Sequence, residues 1–96
     1  PPARIESAQA DVAQHADGVT LTYRDGETQA SIAFTKKWHK SFETAFGLRV
    51  GDRRYLFVDW PPDTQGFGGH CEDEFSLYEV GATLSEVAAS AYNCDV

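Results

Sequence analysis

One stretch limits the folds open to this chain more than any other. From Arg53 to Trp60 both strand faces are apolar, with Tyr55 and Phe57 on one and Leu56, Val58 and Trp60 on the other. A strand of that kind needs cover on both sides, which places it inside a sheet rather than at its rim. It runs straight into Pro61-Pro62 and a Gly-rich stretch ending at His70 and Cys71, the least regular part of the sequence.

The clearest local signal lies upstream. Val19 to Tyr23 and Ala30 to Phe34 alternate apolar and polar residues around Asp25-Gly26, a pair suited to a type I′ turn. With Asp25 and Gly26 as the two loop residues, Leu21 faces Ala30, Tyr23 faces Thr28 and Arg24 faces Glu27. That register gathers the apolar residues on one face and sets an ion pair beside the turn. Gly51-Asp52 marks a second tight turn, and Phe75 to Val80 reads as the last strand.

Three segments read as helices. In residues 1–17, Ile5, Ala8, Val12 and Ala16 recur at helical spacing, with Gly18 as a cap; a short edge strand from Ile5 to Gln9 is the alternative. In residues 35–46, Trp38, Phe42, Ala45 and Phe46 share one helical face and Gly47 supplies the stop, although Lys36 and Lys37 stand at the wrong end of the helix dipole. In residues 83–91, Thr83 and Glu86 have capping-box spacing, with Leu84, Val87, Ala88 and Ala91 as the buried stripe. The expectation is an α+β fold: a single domain over residues 1–96, an antiparallel sheet of about five strands with two or three helices packed on it.

A chain of 96 residues buries only a modest core, so a covalent tie would matter. Cys71 and Cys94 lack metal-knuckle spacing and are expected to form one disulfide, as in an exported domain. The absence of Met fits removal of an export signal, and the expected location is secreted or periplasmic. No apolar run approaches a membrane span.

Charge is segregated. The formal net charge of −7 divides as −3 over residues 1–35, +4 over 36–54 and −8 from Tyr55 onward, where no Lys or Arg occurs. Such an acidic third repels nucleic acid and anionic membrane and attracts a basic protein surface or a cation. The basic middle, Lys36 to Lys40 with Arg49, Arg53 and Arg54, interleaves with Trp38, but the acidic excess argues against a polyanion partner. It is expected instead to lie against the acidic C-terminal third.

The candidate binding residues are Trp60, Asp63, Phe67, His70, Glu72, Asp73 and Glu74. Phe67 stands alone in a polar loop, stiff at one end and Gly-rich at the other, which is the form of an interaction element. Cys71 makes a poor nucleophile, because three adjoining carboxylates oppose its thiolate. The same carboxylates suit a hard cation by type but not by spacing, so neither a metal nor a cofactor is expected. No Ser/His/Asp, P-loop or HExxH pattern is present. The resulting expectation is a small exported protein-binding module: an inhibitor, an immunity protein or a secreted effector. A small enzyme with dispersed carboxylates such as Asp59, Asp63 and Glu72, or an accessory subunit of an assembly, are the alternatives.

Overall fold

The computed structural model describes residues 2–34, 42, 44–60 and 72–93. It contains eight strands: β1 (Arg4–Glu6), β2 (Gln9–His15), β3 (Gly18–Asp25), β4 (Thr28–Phe34), β5 (Thr44–Val50), β6 (Arg53–Trp60), β7 (Glu72–Val80) and β8 (Leu84–Asn93). They form two antiparallel sheets, one of five strands in the order β1-β5-β6-β7-β8 and one of three in the order β2-β3-β4. The α+β expectation is therefore corrected to all-β: a second sheet, not a layer of helices, covers the inner face of the first. Cys71 and Cys94, the residues expected to form a disulfide, lie outside the described residues, among which there is none.

Strand β6 occupies the middle of the larger sheet, as its two apolar faces require. Its inner residues Leu56, Val58 and Trp60 join Leu21, Tyr23 and Ala30 of the smaller sheet, with Tyr78 and Leu84, in one buried cluster. Burying side chains of this size contributes roughly 1.5–3 kcal/mol each, so this cluster is what fastens one sheet to the other.

Each expected helix gives way to strand for a specific reason. Residues 1–17 hold β1 and β2: Ala10 pairs with Tyr23 and Val12 with Leu21, so the period that wins is the two-residue one through Ala8, Ala10 and Val12. The helical spacing through Ile5 was coincidental, since Ile5 is 70% exposed. Of the second helix, residues 35–41 and 43 lie outside the described residues, Trp38 among them. From Thr44 the chain is β5, which puts Ala45 against the core while Phe46 stacks on Phe57 across the sheet. Residues 84–93 form β8, paired along its length with β7; ladder bonds override the helix preference of an Ala- and Glu-containing segment.

Gly47 is not a helix stop. It is buried in β5, where a Cβ would stand 3.2 Å from both the Ala8 Cβ and the Glu6 carbonyl oxygen. The absent side chain lets the β1–β2 connection cross closely over β5.

The first hairpin closes one step further along than the turn pair suggested. Asp25 pairs with Thr28, so the loop residues are Gly26 and Glu27, and Leu21 faces Ile32. Gly26 has φ 61° and, among the described residues, none other than glycine has positive φ, which identifies a type II′ turn rather than I′. Partners move by two residues, so every side chain keeps the face expected of it. Arg24 consequently faces Gln29 and not Glu27. Gly51 and Asp52 form a turn of the same kind, with Gly51 at φ 63°.

Candidate functional site

The candidate site lies where β6 ends and β7 begins. Register sets Trp60 opposite Glu74, Asp73 opposite Tyr92 and Glu72 opposite Asn93. The three carboxylate residues expected in a turn before the last strand are thus its first three residues. Asp63, Phe67 and His70 lie outside the described residues.

Trp60 is core and not contact surface: it is 1% exposed. The Phe34 ring meets it edge-on at 5.9 Å and meets Tyr78 at 6.3 Å. Such edge-to-face pairs add about 0.5–1.5 kcal/mol each beyond the area they bury. Trp60 anchors the end of β6, and Glu74 and Glu86 lie near Tyr78 in the same cluster. Burial pushes the Tyr78 phenol above its ordinary range, and the Glu86 and Glu74 carboxylates push the same way. Ser76 and Trp60 oppose that rise by hydrogen bonding, through contacts looser than regular hydrogen bonds at the Ser76 and Tyr78 hydroxyls.

The basic residues among those described stand at the opposite end. Arg49 and Arg4 both bond Glu6, Arg54 lies 3.9 Å from Asp25 and 3.2 Å from the Thr28 hydroxyl, and Arg53 lies 3.6 Å from Glu79. The expected apposition of basic middle and acidic C-terminal third is therefore realised among the described residues through Arg53 and Glu79; Arg49 and Arg54 pair with the N-terminal segment instead. Arg49 holds the Glu6 carboxyl below the usual glutamate range.

Two features escaped the sequence reading. The first is an aromatic row on the outer face of the five-stranded sheet. Phe46 stacks on Phe57 at 4.8 Å, and Phe57 on Phe75 at 5.8 Å. Leu48, Tyr55 and Leu77 extend it at neighbouring ladder positions. Extending the Gly51-Asp52 hairpin backwards through Leu48 and Tyr55 would have found the Phe46–Phe57 pair; assigning Phe46 to a helix hid it. The second is a pair of adjoining clefts along β2. One of about 410 Å³ is lined by Ala8, Gln9, Ala10, Asp11, Arg24, Phe42 and Ala45. The other, about 380 Å³, shares Arg24 and adds Asp25 and Gly26. Among the described lining residues each cleft has one carboxylate, Asp11 in the first and Asp25 in the second. Among the described residues, no group of three or more His, Cys, Asp or Glu is placed to hold a metal ion. Nor is there a helix long and apolar enough to cross a membrane.

No family model matches the chain, and neither a curated protein nor a solved structure shows significant similarity to it.

Proposed function

We propose that this chain is a small exported protein-binding module, of the inhibitor, immunity-protein or effector kind, which engages a partner's basic surface with the acidic end of its larger sheet. The observation that carries this reading is the separation of charge among the described residues. The run Glu72, Asp73 and Glu74 opens β7 at one end, while Arg49, Arg53 and Arg54 are engaged with carboxylates at the other. A field of one sign over one end speeds encounter with a surface of the opposite sign. The buried Trp60, with the partly buried Phe34 packed on it, gives that end a rigid base.

The test is capture from secreted and envelope fractions on three immobilised proteins: the wild type, the triple variant Glu72→Gln, Asp73→Asn and Glu74→Gln, and Asp25→Asn as a control from the far end. A partner held by the wild type and the control, released by salt and lost with the triple variant, supports the reading. Equal retention by the triple variant overturns it.

The outer row of Phe46, Phe57 and Phe75 favours a second reading, an accessory subunit whose apolar face is covered in a larger assembly. Sedimentation distinguishes the two, since a strict monomer at high concentration removes self-assembly.

A further inference from the structure

The five-stranded sheet ends very differently on its two sides. One edge is β1, three residues long; the other is β8, ten residues long and, among the described residues, paired only with β7. An edge strand presents a row of main-chain N–H and C=O groups with no partner in its own sheet. Side chains along a half-covered strand alternate between buried and exposed. Beyond the buried Leu84, however, residues 85–90 are all exposed, whichever face they occupy. The stretch is open to solvent on both sides.

Sheet proteins protect such edges with proline, bulges and charges. Here protection covers only the first part of β8. The ladder slips between Leu77 and Tyr78, leaving Val87 as a bulge 50% exposed, and Glu86 adds a charge beside it. From Ala88 to Asn93 the pairing with β7 is regular, and the sequence has no proline and no charge. Ala88, Ala89, Ser90 and Ala91 carry small side chains over which a longer one could lie.

Charge selects the occupant. A strand added to β8 lies about 5 Å from it and about 10 Å from β7, close to the screening length at physiological salt. Along β7, behind residues 91–93, stand Glu74, Asp73 and Glu72; Glu86 flanks the other side. A second copy of the chain would bring the same acids and the same net charge of −7. An extended segment bearing lysine or arginine meets a complementary field and can lay its side chains across the small residues of β8.

We propose that residues 88–93 of β8 receive an extended basic segment of another protein as a sixth strand of the sheet. The proposal rests on the reading of a basic partner and adds the mode by which it is held.

The probe is a synthetic nine-residue peptide alternating lysine with valine and threonine. Its control has the same length and charge but proline in place of valine. Each is titrated into the isotopically labelled full chain, and amide shifts and hydrogen exchange are followed. Expected are slowed exchange at the outward amides of residues 88–93, at least tenfold weaker binding of the proline peptide, and loss of affinity with rising salt. Ala89→Lys adds a repelling charge at an exposed position, so it should weaken the lysine peptide about tenfold and leave the melting temperature unchanged. Binding that slows exchange elsewhere and not along β8 overturns the proposal while leaving the basic-partner reading intact. Protection of β8 that grows with protein concentration alone makes a second copy the occupant and overturns it as well. Absence of peptide binding at low salt also ends the proposal, and the capture experiment then decides the broader reading separately.

Discussion

The two ends of this sandwich are stabilised by different forces. At the turn end, glycine-led hairpins bring Arg54 to Asp25 and Arg53 to Glu79, and β1 brings Glu6 to Arg49. At the opposite end, the partly buried Phe34 packs edge-on against the buried rings of Trp60 and Tyr78 beneath the start of an acidic strand. Ion pairs that remain partly wet contribute little, whereas buried aromatic packing contributes a great deal. The charge contacts of the turn end are thus expected to contribute less to stability than the ring packing of the other. The end with the stronger packing is the one whose surface charge can be given to a partner.

That comparison is broken most decisively by Trp60→Ala. The substitution should cost about 3–5 kcal/mol in urea unfolding, a large fraction of a small domain's total stability. A loss below about 1 kcal/mol would mean that the rings are not what holds this end together. Next comes Gly47→Val, which drives a branched side chain into Ala8 and the Glu6 backbone; a loss of about 1–3 kcal/mol is expected from overpacking, again by urea. A third test concerns acid. Because Arg49 lowers the folded-state pKa of Glu6, this carboxylate contributes stability above its unfolded pKa, and the contribution disappears as pH falls through the folded value. Glu6→Gln should therefore lower the melting temperature slightly near neutrality, flatten its acid limb against pH, and change little once pH has fallen below the folded value. An unchanged acid limb would show that the pair is inert. The smallest effect is assigned to Arg53→Ala, whose 3.6 Å contact to Glu79 joins exposed groups; double-mutant cycles should find less than about 0.5 kcal/mol.

The sequence showed the larger sheet's centre and the faces of the first hairpin, because both depend on period-two patterning around residues that bury something. It misjudged the segments whose local preference differs from their place in the fold. The Ala- and Gln-rich stretch of β2 is a strand because Tyr23 and Leu21 lie opposite it. The capping-box spacing of Thr83 and Glu86 loses to nine ladder pairs with β7. Spacing alone cannot report a partner that arrives from elsewhere in the chain. For the site, sequence found the acidic run but took Trp60 for contact surface; its burial depends on Phe34, far away in sequence and adjacent in space. The outer phenylalanine row was within reach of the hairpin register, had the strand been extended far enough back.

The three-residue β1 also has a kinetic consequence. Strands β2 to β4 and β5 to β8 are each joined to sequence neighbours, so both sets can assemble through short-range closures. Arg4 and Arg49, by contrast, meet only after the chain between them has been drawn in. The N-terminal strand should therefore dock last during folding and detach first during native fluctuations. Its amides would then exchange through local opening while the central strands wait for the whole molecule to unfold.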